Sequence, residues 1–175
     1  MPRKKRLGDL IILGAAGGWA LNAAEMAEEG GWHVRALVNN LAPDRVRLVD
    51  SAYPIYQLVE LPRDLKELPA FCALATPAYR RHLVEEAVGA DITRFARLVH
   101  PSAHVSRSVQ LGDGVFVGTM ATIGPHVWVG NHAHLHGRAF VGHGTRIEEF
   151  AVVAPGAFVN SISVVREGAY LGMCA

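Results

Sequence analysis

Histidines are the first candidates for chemistry in this chain of 175 residues, because imidazole can serve as a general base or as a metal ligand near neutral pH. Seven of the nine lie between His100 and His143. His143 stands in the segment Val141-Gly142-His143-Gly144, where glycines on both sides would let a substrate or cofactor approach closely. A neutral imidazole there could take the proton from an attacking amine or hydroxyl group. We take His143 as the candidate catalytic base, with a solvated corner histidine as the plain alternative.

The same histidines raise the possibility of a bound metal. A zinc site of the carbonic anhydrase kind would need three imidazoles that converge across a subunit boundary. No pair of histidines has a recognised ligand spacing, and the two cysteines, Cys72 and Cys174, are too far apart in sequence for a zinc motif. We predict no metal and keep a metal-dependent β-helix enzyme as a less favoured alternative.

A glycine-rich segment, Gly14-Ala15-Ala16-Gly17-Gly18, follows the apolar run Leu10 to Leu13. Such a turn between a strand and a helix lets backbone N–H groups and the helix dipole approach a phosphate. Asn39 and Asn40, at the end of the next predicted strand, could hydrogen-bond a ribose or a base, although asparagine is also common in turns. The dinucleotide fingerprint is incomplete, so a tight turn without a ligand stays open.

The elements that must position His143 come from a six-residue repeat. From Ala103 onward every sixth residue is a branched aliphatic, and a small or modest side chain stands two residues before each. The aliphatic series is Val105, Leu111, Val117, Ile123, Val129, Leu135, Val141, Ile147, Val153, Val159, Val165 and Leu171. A period of six fits a triangular coil whose three short sides each point an aliphatic inward. The repeat therefore predicts a left-handed parallel β-helix over residues 99–175.

In such a β-helix three repeats make one coil, and the aliphatics stack in columns, for example Val105, Ile123, Val141 and Val159. Glycines that directly follow many of the aliphatics are expected at corners where a Cβ would crowd or φ must be positive. A solenoid also needs capped ends. Since no closing helix or loop follows Leu171, we expect either that a partner covers the last coil or that the chain is a truncated form of a longer protein.

The first half, residues 1–98, reads as a Rossmann-like α/β domain. Strands and helices alternate, which favours a small parallel sheet flanked by helices. The predicted elements are a strand at Leu10 to Leu13, a helix at Ala20 to Glu29, a strand at His33 to Val38, a strand at Phe71 to Ala75 and a helix from Pro77 to about Val88.

Composition excludes several classes of function. The net charge is +1 with acidic and basic residues interspersed, so we expect no nucleic-acid partner. No window approaches the roughly 18 apolar residues of a membrane helix, and the basic run Arg3 to Arg6 is not followed by the long apolar region of a signal peptide. We predict a soluble cytoplasmic protein with reduced thiols.

The glycine-rich first domain, the junction His100-Pro101-Ser102-Ala103 and the hexapeptides together resemble the PglD/NeuD family of sugar acyltransferases. The resemblance implies a homotrimer that transfers an acetyl group from acetyl-CoA to an amine or hydroxyl of a sugar, often a nucleotide-linked one. It implies that the catalytic base is His143. The residues implied to bind the nucleotide-sugar are Gly14, Ala15, Ala16, Gly17, Asn39 and Asn40, and those implied near the coenzyme are Val152, Ser161 and Met173.

The sequence departs from the family at Gly144, where an acidic residue normally orients the catalytic histidine, and at Asn39 and Asn40, where acidic residues are usual. A backbone carbonyl, Glu148 and Glu149 are the candidates to replace the missing acid. These departures keep a second hypothesis open, namely a non-catalytic sugar-nucleotide-binding or scaffold protein.

Overall fold

The structure, a computed structural model, describes residues 6–15, 17–41 and 52–175. The chain divides into two compact units. The first comprises Met1–Leu74 and Tyr79–Ala96, and the second comprises Ala75–Ala78 and Arg97–Ala175. No helix in the described stretches is long and apolar enough to cross a lipid bilayer.

A four-stranded parallel sheet forms the centre of the first unit. Its strands are β1 (Gly8–Leu13), β2 (Trp32–Asn39), β3 (Ile55–Gln57) and β4 (Ala70–Cys72), arranged in the order β3-β2-β1-β4. Leu10 to Leu13 in β1 are fully buried, as expected for a central strand covered on both faces. This strand order is that of a Rossmann-like domain, in which ligands bind outside the carboxyl ends of the strands at the point where the order reverses.

Among the described residues, three α-helices accompany this sheet: α1 (Gly18–Glu29), α2 (Arg63–Lys66) and α3 (Pro77–Gly89). The buried face of α1 consists of Ala20, Ala23, Ala24 and Ala27, whose spacing of three and four residues places them on one stripe of the helix. The predicted positions of α1, α3, β1 and β2 are confirmed to within two residues at each end. β4 ends at Cys72, three residues before the predicted end. The short elements β3 and α2 were not predicted, because neither is long enough to show a hydrophobic period.

The second unit is the predicted left-handed parallel β-helix, built from two-residue strands on three sheets. The first sheet contains β5 (Leu98–Val99), β8 (Phe116–Val117), β11 (His134–Leu135), β14 (Val152–Val153) and β17 (Tyr170–Leu171). The second contains β6 (His104–Val105), β9 (Thr122–Ile123), β12 (Phe140–Val141) and β15 (Phe158–Val159). The third contains β7 (Gln110–Leu111), β10 (Trp128–Val129), β13 (Arg146–Ile147) and β16 (Val164–Val165).

The β-helix core confirms the predicted columns. Val105 pairs with Ile123, Ile123 with Val141, and Val141 with Val159, each 18 residues further along the chain. The inward aliphatics from Val117 to Val165 are at most 6% exposed. The small residues two positions before them also point inward and complete the core.

The turns between strands follow one backbone rule that the sequence did not reveal. The third residue after each inward aliphatic from Leu111 onward has φ between 55° and 70°. Glycine occupies four of these positions, and the other residues there are Met120, His126, His132, Arg138, Phe150, Ile162 and Cys174. The glycines directly after the aliphatics are required by space instead, because a side chain there would clash with the next coil. A Cβ on Gly142, for example, would lie 2.5 Å from the Ser161 backbone nitrogen.

Candidate functional site

The candidate base His143 lies in the turn between β12 and β13, at the corner where the second sheet meets the third, and it is exposed. Its carbonyl accepts a hydrogen bond of 2.9 Å from the Ile162 backbone N–H. Within the described residues its ring has no hydrogen-bond or ion-pair partner, so the imidazole is open to a ligand. Gly144 follows with φ of +65°, a conformation in which a side chain would be strained.

Ser161 occupies the same corner one coil later, so the structure brings it close to His143 as the register demands. A Cβ on Gly142 would lie 2.6 Å from the Ser161 Oγ, which shows how tightly the two turns stack. The Ser161 hydroxyl is half-buried and has no hydrogen-bond partner among the described residues. It can therefore donate to or accept from a bound molecule.

Neither acidic residue that we considered as a partner for His143 serves that role here. Glu148 accepts hydrogen bonds from the Glu167 backbone N–H and from Arg166, and it also pairs with Arg146. These bonds, led by the one from the Glu167 backbone, lower the pKa of Glu148. Glu149 accepts a bond of 2.9 Å from Asn131 Nδ2. The two carboxylates stabilise the next corner of the β-helix instead.

The other two positions implied to lie near the coenzyme are separated from this corner. Val152 lies on the first sheet in β14 and its side chain is fully buried, so that side chain cannot contact a ligand in this conformation. Met173 is 74% exposed and lies in the last turn, at the corner where the first sheet meets the second. The structure thus groups His143 with Ser161, but not with Val152 or Met173.

An exposed aromatic pair lies on the second sheet, beside the His143 corner. Phe140 and Phe158 stack with their ring centroids 5.5 Å apart, and they are 38% and 68% exposed. Met120 is 49% exposed in the turn before β9. An exposed cluster of large apolar side chains marks a surface that binds a ligand or a partner. Sequence analysis missed this surface, although the outward position of each strand is readable from the repeat.

In the first unit the glycine-rich turn follows β1 directly. Gly14 has φ of +96°, and a Cβ there would lie 3.0 Å from the Leu74 Cδ2 atom, so the turn needs glycine for both conformation and space. The backbone N–H groups of Gly14 and Ala15 donate to the Val38 carbonyl, which ties the turn to β2. Gly17 precedes α1 as its N-cap residue. Ala16 lies outside the described residues.

A buried arginine shapes the segment after β4, at the switch point of the sheet order. Arg80 is fully buried, and its Nη1 donates a 2.6 Å hydrogen bond to the Leu74 carbonyl. Burial lowers the pKa of Arg80 to about 10, and burial raises the pKa of the neighbouring Cys72 thiol to about 12. Arg80 therefore fixes Leu74, the residue that a Cβ on Gly14 would touch. Sequence analysis could not single out Arg80, because nothing in the sequence of α3 distinguishes it from an exposed arginine.

Asn39 and Asn40 line a pocket of about 300 Å³ within the first unit. Asn39 is fully buried, and its side chain bonds the backbone of Leu41 and the amide of Gln57. Asn40 Nδ2 donates a 2.7 Å bond to Glu86 on α3. The pocket thus presents amides and a carboxylate, which are suited to the polar edge of a base or a ribose. Gln57 and Glu86 were not anticipated, because only the fold brings them next to the asparagines.

Two other histidines of the β-helix, His132 and His134, pack against aromatic rings. His132 stacks on Phe150 with ring centroids 5.1 Å apart, and His134, which is fully buried, lies against Phe116. Among the described residues, no three His, Cys, Asp or Glu side chains are grouped so that they could hold a metal ion.

No family model matches the chain, and no curated protein matches it in sequence. Solved structures do match it over most of its length. A histidine-to-asparagine mutant of perosamine N-acetyltransferase from Caulobacter crescentus, in complex with CoA and GDP-perosamine, is 22% identical with a TM-score of 0.59; the match covers 94% of this chain and 91% of that one. The acetyltransferase domain of PglB from Neisseria gonorrhoeae, in complex with acetyl coenzyme A, is also 22% identical, with a TM-score of 0.66 and coverage of 95% and 82%.

WeeI from Acinetobacter baumannii is 18% identical, with a TM-score of 0.76 and coverage of 95% and 79%. The chain has the fold of sugar acetyltransferases. The resemblance predicted from the glycine-rich domain and the hexapeptides is confirmed at the level of the fold.

Proposed function

We propose that the protein is an acetyl-CoA-dependent acetyltransferase that acts on an amino or hydroxyl group of a nucleotide-linked sugar. The observation that carries the proposal is the exposed His143, whose turn stacks against the turn of the half-buried Ser161 on one corner of the β-helix. Acetyltransferases of the same fold are known in complex with CoA or acetyl-CoA. Two of these structures are of mutants in which one histidine is replaced, by asparagine in one and by alanine in the other. Histidine is also the residue type that we propose as the base here.

The proposed reaction needs no covalent enzyme intermediate. The acceptor nitrogen or oxygen attacks the thioester carbonyl carbon while the His143 imidazole takes the acceptor proton. A backbone N–H group polarises the carbonyl oxygen as negative charge develops there. The carbon–sulfur bond then breaks, the CoA thiolate takes the proton that His143 received, and the acetylated sugar is released.

The first unit supplies the proposed nucleotide site. The Gly14 to Gly17 turn lies at the carboxyl end of β1, where a parallel sheet of this order binds phosphate groups. In the pocket beside Asn39, the half-buried Asn40, Gln57 and Glu86 are the side chains that would bond the nucleoside. GDP-perosamine in the Caulobacter complexes makes a nucleotide-linked amino sugar the first substrate class to test.

The test compares two histidines at the same corner, one coil apart. Purified protein is incubated with acetyl-CoA and a panel of nucleotide-linked amino sugars, and thiol release is followed. We expect His143→Asn to lower kcat by about 10²- to 10⁴-fold. His126→Asn, which changes an exposed histidine at an adjacent turn position, should keep the original rate. Equal rates in all three proteins would refute the role of His143.

The second candidate function is a non-catalytic sugar-nucleotide-binding protein, favoured by Gly144 in place of an acidic residue. Calorimetry with the same nucleotide sugars separates the two functions. Tight nucleotide binding without thiol release from any acceptor would support the binding protein and contradict the enzyme. Metal analysis of the same purified protein tests the metal-dependent alternative.

A further inference from the structure

One turn of the β-helix is closed by a side chain of the previous coil. In most turns, the backbone N–H group of the fourth residue after the inward aliphatic donates a hydrogen bond to the carbonyl of the first residue after that aliphatic. In the turn after Val153, for example, Ala157 donates to Ala154 at 3.1 Å. In the turn from Asn160 to Ser163, the Ser163 N–H instead donates to Thr145 Oγ1 at 3.3 Å. The same hydroxyl donates to the Asn160 carbonyl at 2.9 Å. Thr145 therefore bridges the two ends of that turn.

Thr145 is an exception among the inward residues of the core. It is 1% exposed, at a position that alanine or valine occupies in most other repeats. Valine would fill nearly the same space and carry no polar atom that needs a partner. A buried hydroxyl is tolerated where its hydrogen bonds are made, and both bonds of Thr145 go to the turn of the next coil.

That turn carries Ser161 above the candidate base. Thr145 follows His143 by two residues, and the Ile162 N–H donates to the His143 carbonyl at 2.9 Å. Three hydrogen bonds to the His143 coil thus fix the Ser161 turn, one to the His143 carbonyl and two to the Thr145 hydroxyl. Loss of the Thr145 hydroxyl would leave the Ser163 N–H and the Asn160 carbonyl without this bridge.

We propose that Thr145 is a positioning residue for the coenzyme site, because its hydroxyl sets the height of Ser161 above His143. This inference rests on the proposed acetyltransferase function. Thr145 does not contact the coenzyme, since it is buried. Its effect is exerted through the turn that offers the free Ser161 hydroxyl.

The experiment compares Thr145→Val, Thr145→Ser and the original protein. A lost hydrogen bond of this kind corresponds to about a five- to tenfold change in affinity. We expect Thr145→Val to raise KM and Kd for acetyl-CoA by that factor, with kcat and its pH profile little changed. Thr145→Ser keeps the hydroxyl and should restore both constants.

Val127→Ala, one coil below in the same inward column, is the control for a general loss of core packing. It should lower the melting temperature without changing the affinity for acetyl-CoA. If Thr145→Val behaves like Val127→Ala, the positioning role is overturned while the proposed function stands. If the original protein neither binds acetyl-CoA in calorimetry nor releases thiol, the proposed function fails and the inference fails with it.

Discussion

At the scale of single residues, the structure separates solvent-accessible side chains on one corner of the β-helix from side chains that hold the fold. His143 and Ser161 are open on one corner, whereas Glu148 and Glu149 are engaged by other residues. The shifted pKa values of Asp9 and Arg80 belong to groups that hold the fold. Arg35 and His33 on β2 bond Asp9 on the neighbouring β1, and Arg80 is buried behind β4. The nearest acidic residues in sequence are therefore not partners of His143.

Asp9 gives a prediction for acid stability. Its carboxylate bonds Arg35 at 3.0 Å, Arg6 at 2.6 Å and His33 at 3.1 Å, and these partners, Arg35 first, lower its pKa to about 2. A lowered pKa stabilises the fold above the unfolded value near 4, and the contribution disappears as pH falls toward 2. Because the group is partly exposed, we expect Asp9→Asn to cost less than about 1 kcal/mol at pH 7.

The measurement is urea unfolding of both proteins between pH 2 and pH 7, followed by tryptophan fluorescence. The difference in unfolding free energy should shrink as pH falls from about 4 to about 2. Asp64→Asn, which alters an exposed residue of α2 without an ion pair in the described structure, should match the original protein throughout. A difference that is constant over the whole pH range would contradict the assignment.

At the scale of elements, the β-helix turn demands a left-handed residue at one fixed place. Glycine meets this demand without strain at Gly144, but Ile162 meets it with φ of +56°. A β-branched residue in this region of φ is unfavourable, by roughly 1–2 kcal/mol. Ile162 is also 78% exposed, so its side chain contributes little burial in return.

We therefore expect Ile162→Gly to raise the free energy of unfolding by about 1 kcal/mol, since it removes the strain at little loss of buried surface. Thermal and urea unfolding measure the change. Val164→Gly is the matched control, because Val164 is exposed like Ile162 but lies in the strand β16. That substitution should destabilise the protein by about 0.5–1 kcal/mol. A loss of stability in Ile162→Gly would show that the turn carries no such strain.

At the scale of the whole molecule, we propose the homotrimer that the family resemblance implies. The proposal is supported by the apolar surface on the second sheet, where Phe140 and Phe158 stack in the open. Burial of such side chains between copies would gain about 1.5–3 kcal/mol for each large residue.

Sedimentation equilibrium tests the trimer. We expect a mass three times the 18.9 kDa of the chain. Phe158→Ser should weaken assembly at least tenfold, because it removes the most exposed aromatic ring of the second sheet. Val164→Ser, on the third sheet, should leave the mass unchanged. A monomeric original protein, or a trimer that is indifferent to Phe158→Ser, would contradict this assignment.

The sequence alone determined the β-helix and its register, because a six-residue period leaves one way to bury Val117, Val141 and their equivalents. It also located the strand, turn and helix around Gly14, since local chemistry fixes them. Only the tertiary structure decided that Val152 is buried, that Glu148 is engaged elsewhere and that Gln57 and Glu86 join the Asn39 pocket. These outcomes depend on contacts between residues far apart in sequence, whose distances no local pattern encodes.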